Sequence, residues 1–213
     1  QRRRCRHCHI CRFRRMNGFT AIVITNPEPT FGEETAITML LESGAADFVH
    51  LRKPDACYQD FRHMIETIPA RLHPRLKIHS HFSLLGEFCL GGAHLNSRHP
   101  ARPENTEYTS RSCHSVAELS DNSDVFCYQT LSPVFDSISK QNYHSRFNAA
   151  ELKGKISDLN VIALGGVMPQ HFRELKRAGF IGAAMLGYVW QNISRLYHLI
   201  DEIITNKELC CNT

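Results

Sequence analysis

Four sets of residues in this chain have types that bind anions or move protons. The first is LSPVFDSISK, residues 131–140, where hydroxyls at Ser132, Ser137 and Ser139 and the ammonium of Lys140 accompany a proline. Ser, Asp and Pro are ordinary turn formers, so one reading is a surface loop. The other is an anion clamp, with hydroxyl donors and a cation delivered by the strand before them. The second set is Gly165-Gly166 together with Gly187. Glycine lets main-chain N–H groups approach an anion closely, and it equally suits a tight turn. The third is Arg52, with His50 two residues before it. The fourth is a series of imidazoles at His79, His81, His94 and His114, with the amide of Asn96 beside them. Imidazole changes charge near neutral pH and serves as a general acid or base. Singly, each histidine reads as structural or solvated. Together they make a site only if the fold brings them to one rim.

The elements predicted around them do that. Eight short apolar or β-branched runs occur: Ala21–Thr25, Phe48–Arg52, Lys77–His81, Gly92–Asn96, Tyr108–Cys113, Val125–Thr130, Val161–Gly166 and Gly182–Gly187. Amphipathic stretches with helical spacing lie among them at Glu33–Ser43, Tyr58–Leu72, Gln170–Ala178 and Trp190–Thr205. Ser115 followed by Glu118 three residues on is a capping-box pattern for a short helix, and Ser97–Thr106 reads as a loop. Strand–helix alternation repeated over about 200 residues predicts an α/β chain folded as a single (β/α)8 TIM barrel. The competing fold is a doubly wound open sheet, whose first turn is usually Gly-rich. Here that turn is Asn26-Pro-Glu-Pro29. In a barrel the functional groups gather at the C-terminal strand ends, with phosphate commonly bound after strands 7 and 8. Gly165, Gly166 and Gly187 fall there.

Composition excludes several classes. The chain carries 25 Lys and Arg, but seven of the arginines lie in residues 1–15 (QRRRCRHCHICRFRR), leaving 18 basic against 21 acidic residues in the rest. The body is therefore not a basic nucleic-acid binder. No apolar run approaches the ~20 residues that cross a bilayer. Nine cysteines without framework spacing are expected to be reduced thiols of a cytoplasmic protein. In the tail, Cys5-x-x-Cys8-x-x-Cys11 with His7 and His9 has zinc-type ligands but no second half to close a knuckle. Residues 1–15 are expected to lie outside the functional domain, which is set at 16–213.

With these motifs in order, the chain resembles the thiamine phosphate synthase/TenI family over residues 18 to about 205. Leu51-Arg52 resembles the strand-2 motif LREK, and Gly92-Ala-His94-Leu95 the GVHL of strand 4. Ser112-Cys-His114-Ser115 resembles SxHS, and Ser132 through Lys140 resembles GPVFxTxTK. Ala163-Leu-Gly165-Gly166-Val167 resembles AIGGI, and Ala178–Gly182 the AGADG before strand 8. Family synthases couple an aminopyrimidine pyrophosphate to a thiazole phosphate and release pyrophosphate. The resemblance implies that Arg52 and Lys140 hold the diphosphate with Ser137 and Ser139. It implies that Gly165, Gly166 and Gly187 cradle the thiazole phosphate, and that His50, His94, Asn96 and Ser132 line the substrate.

The departures from the family pattern shape the expected activity. Synthases carry magnesium-holding acids after strands 3 and 4. Here those stretches read His79-Ser80-His81 and His94-Leu-Asn-Ser-Arg-His99, and LREK becomes Leu51-Arg-Lys-Pro54. The expectation is therefore a TenI-type thiazole tautomerase, with His114 as acid/base, no cofactor and no protein-held metal. The alternative is a synthase using Mg²⁺ held by substrate, water or a displaced acid such as Asp55 or Asp136. A catalytically silent phosphate binder is the third. The ligand expected in every case is a small phosphorylated thiazole, and the resemblance implies a homodimer.

Overall fold

Eight parallel strands pair in chain order and close on themselves, because β1 pairs with both β2 and β8. They are β1 Thr20–Ile24, β2 Phe48–Leu51, β3 Leu76–Ile78, β4 Ala93–Leu95, β5 Thr109–Cys113, β6 Tyr128–Leu131, β7 Val161–Leu164 and β8 Gly182–Met185. The fold is a (β/α)8 barrel and not an open doubly wound sheet. The computed structural model describes residues 18–104, 106, 108–119, 126–136, 152 and 154–211. The tail, and with it Ser137, Ser139 and Lys140, lies outside the described residues.

Successive side chains on a strand point to opposite faces, so each strand divides its residues between the barrel interior and the helix layer. Ala21, Val23, Val49, Leu51, Leu76, Ile78, Leu131, Val161, Ala163 and Met185 face outward into one apolar core shared with the helices. The interior differs from side to side. Ile22, Ile24, Phe48, Ile162 and Ala184 fill it apolarly from β1, β2, β7 and β8, against the ring of Tyr128. From β2 to β6 the inward residues are instead polar: His50, Lys77, His94, Ser110 and Thr130, all buried. Barrel interiors are usually packed with branched apolar residues, so this half is built for something other than stability.

Five α-helices are described: α1 Glu33–Glu42, α2 Tyr58–Thr67, α3 Phe172–Ala178, α4 Gly187–Gln191 and α5 Leu196–Cys211. The stretch predicted as one helix over Tyr58–Leu72 breaks at Ile68, which is extended ahead of Pro69. The proline ring disfavours helical backbone in the residue before it, and the chain resumes as a 3-10 turn over Ala70–Arg75. The closing amphipathic stretch is likewise divided, at Asn192, into α4, a 3-10 turn and α5. Trp190 donates its indole N–H to the Ile24 carbonyl at 2.7 Å, which fixes α4 against the end of β1. At the opposite end, Asp47 accepts from the Ala21 N–H and pairs with Lys207, both at 2.8 Å. Arg75 donates to the carbonyls of Leu41, Ala46 and Asp47. These contacts brace the face remote from the site.

Candidate functional site

The C-terminal end of β2 delivers Arg52 to the rim, where its main chain exchanges hydrogen bonds with the Thr25 hydroxyl. The guanidinium is half-buried, and it has no ion-pair or hydrogen-bond partner among the described residues. Burial lowers its pKa, Arg98 close by lowers it further, and Asp55 opposes them in smaller part. A cation held partly out of water without a direct ion pair is costly unless an anion binds there.

The next residue, Lys53, explains the altered LREK motif. It is buried and turns beneath the loop after β1, donating to the carbonyls of Asn26 at 2.7 Å and Glu28 at 2.8 Å. It also pairs with buried Glu33 at 2.5 Å. Burial raises the Glu33 pKa, with Lys53 opposing that rise.

Below the rim, three imidazoles from neighbouring strands meet. His50 Nδ1 and His79 Nε2 lie 2.9 Å apart, and the other nitrogen of His50 meets the Tyr128 hydroxyl. His94 is held through both nitrogens, by Ser110 Oγ at 2.8 Å and Ser112 Oγ at 2.9 Å. It stacks on His79 with ring centroids 4.4 Å apart. Asn96 donates to the His79 carbonyl at 3.0 Å, fixing the end of β3. All three rings are neutral at neutral pH. Burial, reinforced by His79 and Lys77, holds His50 well below the ordinary imidazole range. Burial, then Arg52, Lys77 and His99, brings His79 down to about 3. Burial and the two other rings lower His94 strongly. One nitrogen from each ring falls within 4.8 Å of the others, so the trio can coordinate a metal ion.

It does not fit magnesium. Mg²⁺ takes hard oxygen ligands in octahedral geometry, whereas the donors after β3 and β4 are imidazole and hydroxyl. Of the displaced acids, Asp55 is exposed and stands 3.9 Å from Arg98. Asp136 is exposed too.

Across the rim, Ser132 Oγ lies 3.3 Å from His114 Nδ1. His114 is exposed, and its N–H donates to Glu118 at 2.8 Å. Glu118 in turn accepts from the Ser115 hydroxyl at 3.1 Å and donates its N–H back to it. The N-cap half of the expected capping box is made, but the Glu118 carboxylate takes the His114 N–H in place of that of Ser115. The loop after β6 is stitched to the end of β7. Val134 N–H donates to the Leu164 carbonyl at 2.9 Å and Phe135 N–H to the Gly165 carbonyl at 3.0 Å. Phe135 also packs on His171 at 4.1 Å. This loop explains both glycines. Gly166 has φ of 63°, and a Cβ there would stand 2.1 Å from the Asp136 carbonyl oxygen; at Gly165 it would meet Pro133 Cα at 2.8 Å. Gly187 opens α4 after β8, the strand beside β7.

The expected residues thus divide into an Arg52 side, a His50–His94–Asn96 interior and a His114–Ser132 side. His79 and Ser112 stand out in the sequence at strand ends without an assigned role, whereas Lys77, Ser110 and Tyr128 were not among the expected site residues. The legible signal was the recurrence of polar side chains at alternate positions of five consecutive strands.

Comparison with known proteins identifies the family. Residues 21–189 match the family model described as thiamine monophosphate synthase, TMP-TENI. A crystal structure of thiamine phosphate pyrophosphorylase from Bacteroides thetaiotaomicron is 31% identical and superposes with a TM-score of 0.78, over 90% of this chain and 98% of that one. A thiamine phosphate pyrophosphorylase from Pyrococcus furiosus, 18% identical, shares the fold with a TM-score of 0.62, over 88% of this chain and 98% of that one. The thiamine-phosphate synthase of Latilactobacillus sakei subsp. sakei (strain 23K) is 28% identical over 100 residues; the match spans 44% of this chain and 45% of the relative, so the chain covers about half the length of that curated protein. These findings correct the placement nearer the TenI branch. The missing acids suggested it, but the relatives found carry synthase and pyrophosphorylase names.

Proposed function

The chain belongs to the thiamine monophosphate synthase (TMP-TENI) family, and from that premise we propose that it joins an aminopyrimidine pyrophosphate to a thiazole phosphate. The observation that carries this reading is the half-buried Arg52 guanidinium, set beside Arg98, with no direct ion pair among the described residues and only the exposed Asp55 acting in its favour. In the reaction the bond between the pyrimidine methylene carbon and the diphosphate oxygen breaks, and its electron pair leaves with pyrophosphate. The thiazole nitrogen then supplies the pair for the new carbon–nitrogen bond. Negative charge grows on the leaving oxygen, and Arg52 offers a fixed, bidentate donor for it. Lys140, Ser137 and Ser139 are assigned to the same diphosphate on the sequence resemblance alone, and the amides near Gly166 and Gly187 to the thiazole phosphate. The stretches after β3 and β4 supply no carboxylate for magnesium, so an ion brought in with the diphosphate would be held by substrate and water.

A second reading is tautomerisation of a carboxythiazole phosphate by His114, favoured by the His114–Ser132 contact. One experiment separates the two. Purified protein is supplied with both synthase substrates, and thiamine phosphate and pyrophosphate are quantified, with the thiazole tautomer followed in parallel. Formation of both products, lost in Arg52→Ala, supports the synthase reading. Tautomer conversion without coupling, lost in His114→Asn, replaces it.

A further inference from the structure

We propose that His50, His79 and His94 form a binding site for one first-row transition-metal ion of the zinc type. The three rings come from the adjacent strands β2, β3 and β4, and their ligand nitrogens lie within 4.8 Å of one another. Imidazole suits zinc, cobalt, nickel and copper, whereas magnesium selects oxygen. Neutral rings keep a lone pair available for a metal, and burial keeps these neutral. The groups around them are those that orient metal-bound histidines through the remaining ring nitrogen. The Tyr128 hydroxyl holds one nitrogen of His50, and of the two serines on His94, Ser110 and Ser112, one stays on the nitrogen that the metal does not take. Asn96 fixes the strand end that carries His79.

Nitrogens bound tetrahedrally at 2.0–2.1 Å from zinc stand roughly 3.3 Å apart. Loading therefore opens the 2.9 Å His50–His79 pair by a few tenths of an ångström, exchanges one serine contact of His94 for the ion, and draws the rings together. Lys77 and Arg52 make the surroundings positive, which disfavours a bare dication. Three ring ligands leave a fourth position for hydroxide or an anionic substrate oxygen, whose charge offsets those cations. His79, 7% exposed against 0% for His50 and 1% for His94, marks the side from which it enters. The site's existence is independent of the reaction proposed above, since a tautomerase or a silent binder could carry it equally.

The test is a Co²⁺ titration of the full, chelator-stripped chain, in wild type and in a companion in which Cys5, Cys8 and Cys11 are serine. The expected result in both is one ion per chain, with visible ligand-field bands and no thiolate-to-metal charge-transfer band. Zn²⁺ should displace the ion and millimolar Mg²⁺ should not. His79→Gln should weaken binding by more than the 10–100-fold typical of losing an outer-shell partner, and Tyr128→Phe, which keeps the ring, by about 10-fold. The proposal is overturned if wild type shows no such spectrum, if the only signal is thiolate-type and vanishes in the serine companion, or if a folded His79→Gln protein binds as wild type does. None of these readouts involves turnover, so failure here and failure of the synthase reading are distinguishable.

Discussion

Arg52 is the residue on which the proposed reaction depends most directly. Burial and Arg98 work against its charge and are only partly offset by Asp55, so a bound diphosphate relieves a cost already present in the free protein. Arg52→Ala should lower kcat/KM for coupling by about 10²–10³, the range for removing a donor to developing charge. Arg52→Lys should restore only part of it, since an ammonium cannot make the bidentate contact. Steady-state pyrophosphate release measures both, and equal activity of Arg52→Ala and wild type would remove this residue from the site. His114 gives the complementary expectation. His114→Asn should cost less than about 10-fold in coupling, against the ~10²–10⁴-fold expected of a general acid/base in tautomerisation.

At the scale of elements, two loops set the shape of the mouth. The loop after β6 lies on the glycine turn after β7. Gly166→Ala sets a Cβ against the Asp136 carbonyl in a left-handed conformation, so it should destabilise the ligand-free protein by about 1–3 kcal/mol. Thermal unfolding without phosphate measures this. An unchanged Tm would mean that the turn is glycine for ligand binding alone. The loop after β1 is held from inside by Lys53 and Glu33. Lys53→Met should cost roughly 3 kcal/mol, because it leaves a buried carboxylate unpaired. Adding Glu33→Gln should recover more than about 1 kcal/mol in a double-mutant cycle followed by urea unfolding. Simple additivity of the two losses would mean that the pair is not coupled.

For the whole molecule, the polar half of the barrel interior ties stability to pH. His50, His79 and His94 are neutral when folded because burial depresses their pKa, to about 3 for His79. In the unfolded chain they protonate near pH 6.5. Between those limits the unfolded state binds more protons. The contribution is thus fully present above about pH 6.5 and is lost as pH falls toward the folded pKa. Each ring steepens the loss by up to about 1.4 kcal/mol per pH unit. Urea midpoints should therefore fall from pH 7 to pH 5, and less steeply in His79→Gln. A flat profile in wild type would mean that the rings are not kept neutral.

The eightfold alternation of runs such as Ala21–Thr25 and Val161–Gly166 with amphipathic stretches already determined the barrel, since strand and helix periodicities are local properties of the chain. The Ser115–Glu118 cap was legible for the same reason, its partners being three residues apart. So was the rim position of Arg52 and His114, because barrel strand ends share one face. What the sequence could not decide was which polar residues meet. His50 and His79 are 29 residues apart and His50 and Tyr128 are 78 apart; they touch only because the strands close into a ring in one register. Nor could the motif Leu51-Arg-Lys-Pro54 say that Lys53 turns away from the mouth to hold Glu33, or Gly165-Gly166 that the β6 loop lies within van der Waals reach. Those outcomes depend on closure and packing between distant segments, which local pattern does not encode.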